Sequence, residues 1–218
     1  MPDSTIGTGK AGIVTRDNEG AQKHIHWHTL HMFRLIINAD DLGVNPQRSH
    51  GIFQCVEFGI VTSVSAFATM TDSQEAVKRA REKGISAGLH LNLTDEYPLS
   101  KRDDISTLID GNGCFFEASR LRQLLDEGAV KSEHLEREIR AQVEWMFDVY
   151  GQPTHVNGHM SVNVFPAVID VLIPVMERYG IRFTRIPCEL PLPPHGYDIT
   201  DAELASVRAM NELALGAK

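Results

Sequence analysis

An α/β fold built on a parallel sheet is predicted, from three observations. From Arg34 onward, short apolar runs alternate with stretches of helical length and helical periodicity. The runs are continuously apolar, as in strands covered by helices, and strand–helix alternation in this order means right-handed βαβ units. Asp and His recur at the carboxyl ends of these runs, where parallel α/β folds keep their chemistry.

The first run, Arg34-Leu-Ile-Ile-Asn-Ala-Asp-Asp-Leu-Gly43, reads as a buried strand at Leu35, Ile36 and Ile37 with Asp40 and Asp41 at its exit. Asn45 and Pro46 then supply an N-cap and first-turn pair, Ile52, Cys55 and Val56 an apolar stripe, and Gly59 the helix end. A second strand follows over 60–69. Asp72 with Glu75 is a capping-box-like start to a helix that closes at Gly84. The third strand, Gly88-Leu-His-Leu-Asn-Leu-Thr94, carries His90. A polar loop over 95–113 is long enough to be functional. Leu121, Leu124 and Leu125 mark a short helix. The clearest helix spans Ser132 to Tyr150, with Leu135, Ile139, Val143, Met146 and Tyr150 at helical spacing and Gly151 and Pro153 beyond it. The fourth strand, Thr154-His-Val-Asn-Gly-His159, carries His155 and His159. Pro166 opens a helix with Val168, Leu172, Val175 and Tyr179 inward; Gly180 ends it, and Pro174 should kink it. A fifth strand is expected over 181–186.

Composition narrows the class. With 218 residues, 42% of them hydrophobic, the chain can bury one sizeable core. Residues 1–32 read as a poorly ordered extension and 33–218 as the single domain. The extension ends in His24-Ile-His-Trp-His-Thr-Leu-His31, four of the ten histidines. These are either an accessory metal tract or, the favoured reading, a solvated leader. A formal charge of −8 argues against nucleic acid or an anionic membrane as partner. Cys55, Cys114 and Cys188 are odd in number and widely spaced, which fits a reducing compartment. No run has the length of a membrane helix and no signal peptide is visible, so a cytoplasmic location is expected.

Two adjacent carboxylates beside low-dielectric material repel each other and lose hydration, so something cationic should compensate them. His90, His155 and His159 lie on later strands, at or near their ends. One Asp and two His make an open three-ligand metal site, with the second Asp beside it as a proton acceptor. Neighbouring residues at a strand end point different ways, so one of Asp40 and Asp41 is a ligand and the other is not. Two imidazoles and a carboxylate suit zinc or manganese better than magnesium. His155 is open between a supporting donor and a structural residue. The bland alternatives are a loop-capping Asp pair and a core histidine at 90. Metal-dependent hydrolysis is the expectation.

Asn38-Ala-Asp-Asp-Leu-Gly43, Gly59-Ile-Val-Thr-Ser-Val64, Gly88-Leu-His-Leu-Asn-Leu93 and His155-Val-Asn-Gly-His159 together resemble the YdjC-like carbohydrate deacetylases, a group that includes chitooligosaccharide deacetylases. The match runs from about Arg34 to about Pro187. The resemblance implies a TIM-type βα barrel and a divalent metal ion, magnesium or zinc. It implies hydrolysis of the N-acetyl group of a small amino sugar. By that similarity Asp41, His90 and His159 are the metal ligands and Asp40 is the general base.

The chain also departs from the family pattern. Asn157 stands where the final motif usually has Asp, and Met160-Ser-Val-Asn163 replaces a histidine-rich stretch. After Cys188 there remain a Pro-rich loop with His195 and one helical pattern, Ala202 to Leu215, so the barrel is expected to be incomplete. An open sheet edge near Phe183 and Ile186 would favour a homo-oligomer. The alternative function is a non-catalytic relative that retains a metal or sugar pocket.

Overall fold

The computed structural model describes residues 35–187 together with 208, 211 and 212. The N-terminal stretch to residue 34 with its histidine tract, Cys188, His195 and all but three positions of the Ala202–Leu215 pattern lie outside the described residues.

Strands and helices alternate as β1 (Asn38–Leu42), α1 (Pro46–Glu57), β2 (Ser63–Ala66), α2 (Ser73–Glu82) and β3 (Ala87–Leu91). Then come α3 (Ala118–Asp126), α4 (Ser132–Val149), β4 (Val156–Gly158), a 3₁₀ segment His159–Val164 and α5 (Pro166–Arg178). The four strands form one sheet in the order β1-β2-β3-β4, every pairing parallel. This is the α/β fold that the alternation predicts. Strands adjacent in sequence are adjacent in space, as in a TIM-type barrel, and the described strands make an open arc of one.

Side-chain parity along the strands builds two different faces. Val64 and Ala66, Ala87, Leu89 and Leu91, and Val156 point to the helices and are buried. Phe53, Ala76, Val77 and Ala80 of α1 and α2 cover one half of that face; Ile139 and Val143 of α4 and Val168 and Leu172 of α5 cover the other. The alternate residues, Asn38 and Asp40, Ser65, Gly88 and His90, and His155 and Asn157, form a polar layer inside the arc.

Three expectations need correction. The first strand is not Leu35–Ile37: sheet pairing begins at Asn38, opposite Ser63, and Leu35 and Ile36 are 74% and 77% exposed. Ile37 still accepts main-chain bonds from Thr62 and Ser63, so the chain is extended there, but on the edge of the sheet. The second concerns Asp72, which sits at the N-cap of α2 but makes no capping bond; its φ of −103° and ψ of 1° are not the extended cap conformation. The third is the fifth strand. Over 181–186 there is a single bridge, Val156 to Thr184, with Phe183 67% exposed.

The α1 start is as expected: Asn45 Oδ1 accepts from the Arg48 main-chain N–H at 2.9 Å, with Pro46 in the first turn. Among the described residues, no helix is long and apolar enough to cross a membrane.

Candidate metal centre

The Asp pair owes its geometry to a β-bulge. Ala39 pairs with Val64 and Leu42 with Ala66, so Asp40 and Asp41 together oppose the single residue Ser65. Asp41 has φ +65°, a left-handed conformation that Asp tolerates better than most residues. The extra residue does two things. It returns Leu42 to the helix-covered face, fully buried, and it turns the two carboxylates apart. Gly43 follows at φ +94°, where a Cβ would lie 2.8 Å from the Ser73 Cα, so the turn after the bulge admits only glycine.

Asp41 faces two imidazoles. Its Oδ1 lies 3.2 Å from His90 Nε2 and 3.5 Å from His159 Nδ1, while Arg48 Nη1 contacts Oδ2 at 3.0 Å. One ligand atom from each of Asp41, His90 and His159 lies within 4.8 Å of the others. An ion about 2.1 Å from each ligand separates tetrahedral neighbours by about 3.4 Å, close to the two Asp41 distances. The buried Phe67 meets both rings edge-on, at centroid distances of 4.8 Å from His90 and 5.1 Å from His159, and fixes their planes.

The hydrogen-bond partners determine both tautomers. Asp40 is a carboxylate and only accepts, so Asn157 Nδ2, 3.1 Å from Asp40 Oδ1, must be the amide nitrogen facing it. Asn157 Oδ1 then faces His90 Nδ1 at 2.8 Å, and that nitrogen carries the proton. Likewise Asp95 Oδ2 accepts at 2.7 Å from Nε2 of His159. With both rings neutral, each turns an unprotonated nitrogen toward Asp41; a second proton on either ring would take the metal's place and point at the same carboxylate. Three lone-pair donors converge on one point, an arrangement that repels itself unless a proton or a metal cation sits there. The residues fit a divalent ion.

Asp40 lies one layer behind. Its Oδ1 accepts from Asn38 Nδ2 at 2.7 Å, and Arg185 binds both oxygens, at 3.0 and 2.7 Å. Burial pushes its carboxyl up, but the Arg185 hydrogen bonds, the nearby His90 and Arg185 charges and the Asn157 amide together hold it below the usual value. When the imidazoles are protonated, the Asp41 carboxyl is also lowered: the His90 hydrogen bond leads, burial opposes, and the His90, His159 and Arg48 charges add to the lowering.

His155 is not a ligand in this arrangement. Its Nε2 lies 2.8 Å from Ser65 Oγ and its Nδ1 2.9 Å from Thr154 Oγ1. Thr154 donates to the Ala87 carbonyl, so it accepts from Nδ1, and Ser65 donates to Nε2. Ser65 in turn accepts from Asn38 at 2.8 Å, and Asn38 gives its second amide proton to Asp40. With His155 neutral, every proton in this chain has one direction. Burial, the largest influence, and the Arg185 charge lower the His155 pKa and so favour that form.

All four expected site residues, Asp40, Asp41, His90 and His159, thus meet at one end of the sheet. Sequence reasoning missed Arg185, Asp95, Asn38 and Ser65. For Asn38 and Ser65 the signal was present, because they share period-two parity with Asp40 and with the strand at β2. Asp95 lies in the loop after β3, and Arg185 comes from a segment 145 residues from Asp40.

The model of the family described as YdjC-like protein matches residues 34–215. A carbohydrate deacetylase of Mus musculus is 37% identical over 158 residues, covering 72% of this chain and 51% of that protein. One from Geobacillus stearothermophilus is 34% identical over 157 residues, covering 72% and 61%. The chain spans about half the length of the vertebrate relatives that it matches. A crystal structure described as a cellobiose-phosphate cleavage protein of Enterococcus faecalis V583 superposes with a TM-score of 0.62 at 26% identity, covering 80% of this chain and 64% of that one.

Proposed function

Since the chain belongs to the YdjC-like protein family, we propose that it is a metal-dependent hydrolase that removes N-acetyl groups from an amino sugar or chitooligosaccharide. Asp41, His90 and His159 hold the ion and Asp40 is the general base. The observation that carries this reading is the fixed pair of tautomers: Asn157 and Asp95 turn both imidazoles so that their unprotonated nitrogens meet Asp41. The name carbohydrate deacetylase, carried by the relatives, supports a sugar substrate.

Held by these three residues, a divalent ion would supply Lewis acidity toward the acetamide carbonyl and toward water near neutral pH. Two imidazoles and one carboxylate favour zinc or manganese over magnesium. Asp40 receives the proton of the attacking water, and of its two oxygens Oδ2 is the freer: Oδ1 accepts from Asn38, Asn157 and Arg185, Oδ2 from Arg185. Arg185 keeps the carboxylate ionised and its plane fixed. As the C–N bond breaks, Asp40 returns that proton to the leaving nitrogen, and the products are acetate and the free amino sugar.

One observation favours a second reading, a relative that binds metal or sugar without turnover. Arg185 binds both oxygens of Asp40 and holds its carboxyl below the usual value, and a base works best with a pKa near the working pH. Metal analysis of the purified chain, with acetate release measured on N-acetylglucosamine and diacetylchitobiose, tests both. Stoichiometric zinc with acetate release supports the hydrolase. Zinc without release supports the binding module, and a chain that takes up no divalent ion sinks the proposal.

A further inference from the structure

Helix α4 presents Leu135, Ile139, Val143 and Met146 to the core, yet Glu138 and Gln142 lie on the same side, and both are 0% exposed. A carboxylate there is costly, and among the described ion pairs none includes Glu138. Main-chain and amide N–H groups hold it instead. Oε1 accepts from Leu99 N at 3.1 Å and Gln142 Nε2 at 2.8 Å, and Oε2 accepts from Ser100 N at 2.9 Å.

Gln142 continues the network. Its Oε1 accepts from Asn92 N at 3.0 Å and its Nε2 donates to Asn92 O at 2.6 Å, so both main-chain groups of Asn92 are held. The Asn92 side chain then does the same for Asp95. Its Oδ1 accepts from Asp95 N at 3.0 Å and its Nδ2 donates to Asp95 O at 2.7 Å. Asp95 carries the carboxylate that meets His159 Nε2. Glu96 follows at φ +57°, so the chain leaves Asp95 in a conformation few residues adopt unaided.

We propose that Glu138 and Gln142, acting through Asn92, are positioning residues that hold Asp95 on His159 Nε2 and thereby present His159 Nδ1 to the metal. The inference rests on the metal reading above. It explains why an apolar helix face retains two polar side chains: an apolar pair at 138 and 142 would strip the Leu99, Ser100 and Asn92 main-chain groups of these partners and leave Asp95 unplaced, and a histidine without its carboxylate is free to turn over or change tautomer.

The test uses the full chain, metal-free, at a pH raised until the spectra themselves show both rings neutral. Long-range ¹H–¹⁵N spectra report the tautomer of each histidine. Wild type is expected to show His159 as Nε2–H and His90 as Nδ1–H. Gln142→Met and, as a milder second variant, Asn92→Asp should populate the Nδ1–H form of His159 and leave His90, which Asn157 holds, unchanged. Zinc affinity by chelator competition should fall roughly 10- to 100-fold in each variant. Asp95→Asn should fall similarly, and combining it with Gln142→Met should cost no more than the larger single loss. An unchanged His159 tautomer, a His90 that shifts alongside it, or losses that multiply would overturn the proposal. So would two variants that fail to fold, since the network would then serve only the loop's stability. A wild type that takes up no zinc but shows His159 as Nε2–H would overturn the proposed function while supporting the positioning.

Discussion

The two carboxylates of the bulge make opposite demands on the same substitution. Asp40→Asn keeps the shape and the contacts through one oxygen but removes the proton acceptor. Loss of a positioned general base costs about 10²- to 10⁴-fold in rate. Because Asp40 touches neither imidazole in the described contacts, zinc affinity should change little. The fold should tolerate the substitution. The Asp40–Arg185 pair is partly solvated, with side chains 31% and 45% exposed, so its loss costs about 1 kcal/mol or less once screening is counted. Asp41→Asn removes the negative charge that faces both His90 and His159 and replaces one carboxylate oxygen by an amide nitrogen that cannot ligate a metal. It should lower zinc affinity by more than the roughly 10- to 100-fold that outer partners cost. The assay is acetate release at saturating zinc, with zinc affinity measured on the same preparations. If Asp40→Asn strips the metal while Asp41→Asn retains it, the roles are exchanged. If both retain metal and rate, neither carboxylate belongs to the chemistry.

The fold class was legible because parallel strands covered by helices write continuous apolar runs, and α4 was legible because its buried positions repeat at helical spacing. The position of β1 was not. Leu35-Ile-Ile37 is the most apolar stretch of its segment, yet it lies on the edge of the sheet, and pairing fixes the strand three residues later. Strand-end Asp and His residues stood out because charge beside apolar residues needs a reason. Asp95, by contrast, looks like any loop acid until Asn92 is seen to hold it. Arg185 reads as half of a basic pair around Phe183 and Thr184; only the tertiary fold brings it to Asp40. Glu138 and Gln142 carried a usable signal, an i,i+4 polar pair among apolar core positions, which the apolar stripe of the same helix hides. What sequence conveys is the parity of each strand. What it withholds is the bulge that changes that parity between Asp40 and Asp41.

Acid stability offers one further test. Asp40 and Asp41 both titrate below their usual 3.8 in the folded chain, so the unfolded chain takes up these protons first. Their stabilisation is complete above about pH 5 and is lost as pH falls through the unfolded value toward the folded ones. Burial pushes Asp40 up and Arg185 is the main counterweight, so Arg185→Gln should move the acid-unfolding midpoint, followed by circular dichroism, to higher pH; an unmoved midpoint would refute the assignment. Gly88→Ala tests the hydrogen-bonded chain behind Asp40. A Cβ at Gly88 would lie 2.5 Å from His155 ring atoms, and β3 is paired with β2 on one side and β4 on the other, so the imidazole must give way. The move breaks the Ser65 and Thr154 contacts, and an overpacked core position costs about 1–3 kcal/mol. With His155→Ala in the same chain the obstruction is gone, so the double variant should be more stable, by about 0.5–3 kcal/mol, than the summed single losses allow. Urea unfolding measures all three. Strictly additive losses would mean that Gly88 is there for some reason other than the ring that lies over it.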